Sequence, residues 1–186
     1  MSRRAGLDRE AVVTAAATIA DAEGLGALTL ARLAEGLGIR TPSLYNHVAG
    51  LDALRRALAL RGTRDLAGRL SRAAIGKSGD GAIVALGRAY RDFVVAHPGV
   101  YATMLRAPAP GDGEWQAAGA EVVGIVLAAL SGYDFGEDEA LHVVRGLRSV
   151  LHGFATLEVA GGFGLPLDLD ESFERLLRTF VAGLRR

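Results

Sequence analysis

Apolar residues recur every three or four positions along most of the chain, the spacing that places them on one face of an α-helix. The clearest stripe lies near the C-terminus and consists of Phe173, Leu176, Leu177, Phe180, Val181 and Leu184. No stretch shows a convincing alternation of apolar and polar residues, which would indicate a half-buried strand. The pattern therefore predicts an all-α protein.

The stretch from Thr29 to Val48 predicts two short helices joined by a tight turn. Thr29 is suited to cap the first helix, because its hydroxyl can accept a hydrogen bond from an amide of the first turn. Gly38 is suited to end that helix, since glycine adopts positive φ without strain. Thr41 and Pro42 predict the cap and the first residue of the second helix.

The second short helix has an apolar and a polar side. Leu44 and Val48 are one turn apart and are expected to face inward. The other positions offer hydroxyl, amide, phenol and imidazole groups to the outside. Two short helices around a glycine turn, the second with a polar outer face, are typical of the helix-turn-helix, whose second helix enters the DNA major groove. The alternative is an ordinary αα-hairpin inside a helical bundle.

The features that extend this pattern run from Asp8 to Val48. Asp8 opens a helix that ends at Glu23 and Gly24; further features are Leu28-Thr29, Leu37-Gly38-Ile39 and the run from Pro42 to Val48. Together they resemble the tetracycline-repressor (TetR) family of one-component bacterial regulators. One position departs from that family, whose members often carry a phosphate-contacting lysine just after the second helix. Here Val48 leads into Ala49-Gly50-Leu51.

The resemblance implies double-stranded DNA as a partner and assigns roles within the second helix. Tyr45 and His47 are expected to contact phosphates, and Asn46 is expected to contact a base edge. Pro42 can offer only apolar contact, for example to a thymine methyl group. The expected DNA-binding residues are Thr29, Arg40, Thr41, Pro42, Ser43, Tyr45, Asn46 and His47.

Three segments are predicted along the chain. Residues 1–50 form an N-terminal three-helix helix-turn-helix domain, residues 51–73 a connecting helix that Gly62 softens, and residues 74–186 a C-terminal helical bundle. The boundary is placed in residues 74–81, which are rich in Gly and Ser. The Gly76–Ser78 tripeptide within them is not a phosphate-binding loop, because Ser71 stands where that motif needs its first glycine.

The last two helices are too apolar for the outer layer of a small monomer. Soluble monomers rarely expose large apolar patches, and the family pairs these helices with their copies around a two-fold axis. A homodimer is therefore expected. Its predicted interface consists of Leu147, Leu151, Phe154, Phe173, Leu176, Leu177, Phe180, Val181 and Leu184. The alternative is that both stripes face the core of their own chain.

A small-molecule site is expected in the C-terminal segment, on the strength of the resemblance. Aromatic and aliphatic side chains with few polar groups suit a hydrophobic effector, whose identity is unknown. The predicted lining is Phe93, His97, Tyr101, Met104, Leu105, Trp115, Val122, Val126 and His152. His152 and Gly153 also resemble the branch whose C-terminal domain is named for a Trp-His-Gly (WHG) signature, although the tryptophan is missing.

The zero net charge hides an asymmetry. Up to Arg72 the chain has 11 basic against 7 acidic residues, and from Ala73 onward 10 against 14. A basic N-terminal part suits phosphate contact, because each neutralised phosphate releases counterions. Ser2–Arg4 could serve as an arm that lies against DNA, or be a solvated tail.

Catalytic and metal-binding motifs are missing. The chain has no cysteine, no HExxH and no GxSxG, so we expect no enzyme, no cofactor and no metal site. No run is long enough for a membrane helix and the N-terminus lacks an apolar signal core, which predicts a cytoplasmic protein without a membrane partner. The absence of cysteine fits a reducing compartment.

These features predict a DNA-binding transcriptional regulator. In line with the family, we expect a repressor that binds a near-palindromic operator as a dimer and is released by a small hydrophobic effector. Two alternatives remain: a small helical enzyme or ligand carrier, and a protein-interaction module, both without specific DNA binding.

Overall fold

The computed structural model describes residues 7–185 and is all-helical, as predicted. The described residues form these helices: α1 Arg9–Glu23, α2 Leu30–Leu37, α3 Thr41–Leu44, α4 Leu51–Ala74, α5 Gly79–Ala96, α6 Pro98–Thr103, α7 Gly113–Leu130, α8 Glu137–Val159 and α9 Leu169–Gly183. None of the described helices has the length and apolar character needed to cross a membrane. The predicted arm Ser2–Arg4 lies outside the described residues.

Two compact units divide the chain. Among the described residues, the first comprises residues 7–62 and 97–109, and the second residues 63–96 and 110–185. The division falls inside α4 and therefore differs from the boundary predicted at residue 74. It also assigns α6 to the N-terminal unit, because α6 packs against α1.

The first unit is built on α1, which packs against α2 and α6, while α2 packs against α3. Asp8 caps α1 as predicted, and its carboxylate accepts a hydrogen bond from the Ala11 amide at 2.8 Å. The apolar face of α1 is buried and consists of Val12, Val13, Ala16, Ile19 and Ala20.

Close approach of α6 to its neighbours in this unit depends on two glycines. A Cβ atom at Gly99 would overlap the carbonyl group of Ala20 on α1. A Cβ atom at Gly62 would lie 2.6 Å from Cγ1 of Val100 and 2.7 Å from Sδ of Met104. Gly62 was predicted to soften α4, and its visible role is to let α6 pack closely against that helix.

The second unit is organised around α5, which packs against α7, α8 and α9. The face that α5 buries consists of Ala82, Ile83, Leu86, Gly87, Tyr90, Phe93 and Val94. A Cβ atom at Gly87 would lie 2.5 Å from Cδ2 of Leu177, so the glycine leaves the space that this side chain of α9 occupies against α5. Asp168 caps α9, since its carboxylate accepts from the Glu171 amide at 2.7 Å.

The predicted dimer interface needs a correction. Five of its nine residues are buried in the core of their own chain: Leu147, Leu151, Phe173, Leu177 and Val181. They have no surface left for a partner, because α5 already covers this side of α8 and α9. For these five residues, the alternative that the stripes face their own core is the one observed. The other four, Phe154, Leu176, Phe180 and Leu184, are half-buried.

Ion pairs connect α5 to α8 and α9. The Arg91 guanidinium donates to both carboxylate oxygens of Glu158, each at 2.6 Å, and to Asp170 at 2.7 Å. Nearby, Arg88 donates to Glu174 at 2.5 and 2.8 Å. This hydrogen bond lowers the pKa of the Glu174 carboxyl. Because a lowered pKa stabilises the folded state at neutral pH, that contribution is lost as the pH falls through the folded-state value.

Candidate nucleic-acid interface

The first helix of the pair, α2, begins and ends as its sequence predicts. The Thr29 hydroxyl caps it by accepting from the Arg32 amide at 3.1 Å. Gly38 adopts the left-handed conformation with φ of 66° and donates to the carbonyls of Ala34 and Glu35. The Ile39 amide also donates to Ala34, at 3.0 Å. This is the Schellman arrangement, which reverses the chain sharply after α2.

The second helix, α3, starts one residue earlier than predicted. Arg40 holds the cap position and Thr41 is already helical, with no side-chain hydrogen bond closing the helix start. The prediction that Thr41 is the cap is therefore wrong by one residue. After Leu44, backbone amides donate to carbonyls three residues earlier in the chain. The His47 amide, for example, donates to the Leu44 carbonyl at 2.9 Å. The helix therefore continues as a tighter turn.

The inward face of α3 is as predicted, and the outward face is as predicted in part. Leu44 is 0% and Val48 6% exposed, and both belong to the core. The Tyr45 side chain is 60% exposed. Pro42, Ser43 and Asn46 are also exposed, while Thr41 and His47 are half-buried. The α3 segment therefore presents hydroxyl, amide and phenol groups away from its own unit.

An ion pair absent from the predicted site residues joins α1 to α2. The Arg32 guanidinium donates to both oxygens of the Glu23 carboxylate, at 3.1 and 2.6 Å. This hydrogen bonding lowers the pKa of the Glu23 carboxyl. The two residues are nine positions apart along the chain, so no helical spacing rule signals the pair. The pair helps to hold α2, which precedes the turn into α3, against α1.

Arg40 is the basic residue of the turn that leads into α3. Its side chain is exposed, and within residues 7–185 no carboxylate pairs with it. The positive charge is thus free to meet a phosphate or a guanine at the entrance of α3.

We expect Thr29→Ala to destabilise the fold by about 1 kcal/mol, because the first turn of α2 loses its side-chain acceptor. Thr29→Ser keeps the hydroxyl and should restore most of the loss. Urea unfolding of the three proteins measures both values. Equal losses for Ala and Ser would show that the methyl group, and not the cap, matters.

The nine predicted effector-lining residues are divided between the two units. His97, Tyr101, Met104 and Leu105 lie in the first, and Phe93, Trp115, Val122, Val126 and His152 in the second. In the first unit, His97 is engaged with α1, since its Nδ1 lies 3.1 Å from a carboxylate oxygen of Asp21. In the second, the Trp115 indole donates to the Thr63 hydroxyl at 3.2 Å.

Comparison with known proteins agrees with this geometry. Residues 83–180 match the family model described as "Tetracyclin repressor-like, C-terminal domain". The chain is 40% identical to the uncharacterized HTH-type transcriptional regulator YobS of Bacillus subtilis (strain 168), over 99% of this chain and 96% of the relative. It is 37% identical to the uncharacterized HTH-type transcriptional regulator Rv0681 of Mycobacterium tuberculosis, over 100% of this chain and 85% of that protein.

A solved structure has the same fold. It is a possible TetR family transcriptional regulator from Streptomyces coelicolor A3(2), which superposes with a TM-score of 0.76 at 22% identity, over 95% of this chain and 98% of that one. The family match extends through the C-terminal half, and the two relatives span nearly the whole chain. The chain belongs to the TetR family of helix-turn-helix transcriptional regulators, a family of DNA-binding proteins rather than enzymes.

Proposed function

We propose that this regulator is a repressor that binds a near-palindromic operator as a homodimer and is released by a small hydrophobic effector. The observation that carries the proposal is the outward face of α3. Its apolar residues Leu44 and Val48 are buried, while Tyr45, Asn46 and Ser43 are exposed. A helix fixed by its apolar side and polar on the other is what entry into a major groove requires.

The exposed and half-buried side chains of the α3 segment have different expected roles in binding DNA. The Asn46 amide can both donate and accept, which suits the edge of an adenine. Tyr45 and His47 carry groups that can bond phosphate oxygens, which position a protein without reading sequence. Arg40 adds a positive charge at the start of the same helix, and therefore offsets in part the lysine missing after Val48.

A homodimer is proposed from the apolar surface that α8 and α9 leave uncovered. Phe154, Leu176, Phe180 and Leu184 are half-buried, and Leu141 at the start of α8 is exposed. A two-fold pairing of these faces would bury this surface. It would also present two copies of α3 to DNA, roughly 34 Å apart, which is one helical turn.

The effector is proposed to bind among the apolar residues of the second unit. Phe93 and Val126 are buried there, and Trp115 and Val122 are half-buried, so the surroundings favour an apolar molecule. A ligand of this kind should raise the melting temperature and weaken operator binding. If no member of a broad panel of hydrophobic metabolites did either, the effector part of the proposal would fail.

Asn46→Ala should weaken binding to the operator by about 1–3 kcal/mol, because it removes a base-reading amide. Binding to a duplex of scrambled sequence should change little. Fluorescence anisotropy at one fixed salt concentration measures both affinities, after genome-wide mapping of bound sites has defined the operator.

The control is Ser71→Ala, a polar-to-alanine change at an exposed position of α4. It should leave both affinities as they are in the unmodified protein. Equal losses for Asn46→Ala on operator and scrambled DNA would show that Asn46 does not read a base.

A further inference from the structure

A groove lies in the second unit, between the start of α5 and the end of α9. Its volume is about 320 Å³, and its lining consists of Asp80, Val84, Arg178, Val181, Ala182 and Arg185. Small-molecule sites in proteins measure about 300–1,000 Å³. The groove therefore has room for a small organic molecule at the lower end of that range.

The groove has an apolar floor and a charged rim. Val181 is buried and Val84 is half-buried, so their side chains form apolar surface at the base. The two arginines of the lining, Arg178 and Arg185, are exposed. This arrangement matches a ligand that has an apolar body and one charged end.

The acidic residue of the lining already has partners. One carboxylate oxygen of Asp80 accepts from the Tyr133 hydroxyl at 2.5 Å, and the other accepts from the Arg185 guanidinium. The pair of Asp80 and Arg185 joins the two helices that form the walls of the groove. Because both oxygens have donors and the charge is paired, Asp80 is a poor site for a cationic ligand.

The guanidinium of Arg178 is the charge of the lining that remains available. Within residues 7–185 it makes no hydrogen bond or ion pair. Its charge acts on Glu174, one turn earlier on α9, but Arg88 already donates to both oxygens of that carboxylate, at 2.5 and 2.8 Å. Around the groove, the three guanidinium groups of Arg88, Arg178 and Arg185 thus outnumber the two carboxylates of Glu174 and Asp80.

We propose that this groove binds a small amphipathic carboxylate. The carboxylate would accept two hydrogen bonds from the Arg178 guanidinium, whose planar donors match its two oxygens. The apolar body would lie along Val84, Val181 and Ala182 and lose its contact with water. The excess of positive charge at the rim selects an anion over a neutral or cationic molecule of the same shape.

The groove is separate from the two other surfaces proposed for the second unit. At 3.6 residues per turn, Arg178 and Ala182 lie on the flank of α9 opposite to Leu176 and Phe180, which belong to the proposed dimer surface. None of the residues that line the groove is among those around the proposed effector. The inference therefore depends on neither the dimer nor the effector of the proposed function.

The test is a titration of the full chain with sodium octanoate, followed through the methyl signals in NMR spectra. The signals of Val84, Val181 and Ala182 should shift in a saturable way. The comparison ligand is 1-octanol, which has the same chain length and no charge. It should bind at least about fivefold more weakly, because it cannot form charge-assisted hydrogen bonds with Arg178.

Two variants test the contacts. Arg178→Gln should raise the dissociation constant of octanoate at least about fivefold and leave that of 1-octanol unchanged. Ala182→Phe should abolish the binding of both, because the ring would fill the groove. Since Ala182 is exposed, the melting temperature should not fall. The matched control is Arg175→Gln, which should not alter octanoate binding, because Arg175 is an exposed residue of α9 that pairs with Glu171 outside the groove.

Three results would overturn the inference. One is octanoate that shifts only other methyl signals, such as those of Val122 and Val126, which would support the effector region instead. Another is equal octanoate affinity of the unmodified and Arg178→Gln proteins, which would remove the anion from the site. The third is the absence of any saturable shift at millimolar octanoate.

Discussion

Gly99→Ala is expected to destabilise the protein by about 3 kcal/mol or more, the upper range for overpacking a buried site. The new Cβ atom would overlap the Ala20 carbonyl and lie 2.6 Å from the amide nitrogen of Asp21. Both neighbours are backbone atoms of α1, which cannot turn aside as a flexible side chain can. The α6 helix must therefore move away from α1.

That movement would break further contacts. Asp21 accepts from the Val100 amide at 2.8 Å and lies 3.1 Å from Nδ1 of His97, so the start of α6 loses its anchor on α1. Urea unfolding measures the loss. The control is Gly119→Ala in α7, where a Cβ atom meets nothing within 4 Å. That change should stabilise by up to about 1 kcal/mol, since alanine favours the helix. A Gly99→Ala protein as stable as the unmodified chain would contradict the docking of α6.

Arg91→Met is expected to cost about 3 kcal/mol of folding free energy, because it leaves a carboxylate without its partner in a largely dry site. The side chains of Arg91 and Glu158 are only 13% and 16% exposed. The guanidinium also lies over the rings of Phe154 and Phe173, at 5.6 and 5.0 Å from their centroids. Its bonds to Glu158 raise the pKa of Arg91, so it is charged throughout the accessible pH range.

A double-mutant cycle distinguishes loss of the pair from loss of packing. Arg91→Met/Glu158→Leu removes both charges and should recover a large part of the stability lost in the single variant. Arg175→Ala is the control, since the Arg175–Glu171 pair is exposed and such pairs contribute about 0.5 kcal/mol or less. If Arg91→Met cost no more than Arg175→Ala, the ion pair would have no role in holding α5 to α8.

The elements of the fold could be predicted because their signals are local. A run of apolar residues at helical spacing indicates a helix whatever it packs against. Caps such as Asp8 and Thr29 act within three residues of chain, as observed. Local signals do not identify the capping residue where two nearby residues could each cap the same helix. Asp168 and Asp170 are both good caps, and only the observed bond to the Glu171 amide selects the first.

The placement of apolar faces could not be predicted, because the partners are distant in sequence. Leu177 reaches α5 through the space left by Gly87, ninety positions earlier in the chain. Nothing near Leu177 in the sequence indicates this contact. The stripe on α9 therefore predicted an amphipathic helix correctly, but the prediction that it faces a partner is wrong for Phe173, Leu177 and Val181, which lie in the core of their own chain.

The candidate site was more predictable than the core around it. Exposure of Pro42, Ser43 and Asn46 follows from burial of Leu44 and Val48 one turn apart. The side-chain contacts that join α1 to α2 and to the start of α6 were not predicted. The Glu23–Arg32 pair and the Asp21–His97 contact join residues that only the folded chain brings together.

The central claim is that two copies of the outward α3 face read one stretch of duplex DNA. The most direct measurement is the recovery and sequencing of genomic DNA fragments bound by the purified full chain at physiological salt. We predict one recurrent near-palindromic sequence, with half-site centres about one helical turn apart, which the Asn46→Ala protein recovers poorly. Fragments that share no sequence, or a single half-site bound by one chain, would contradict the account.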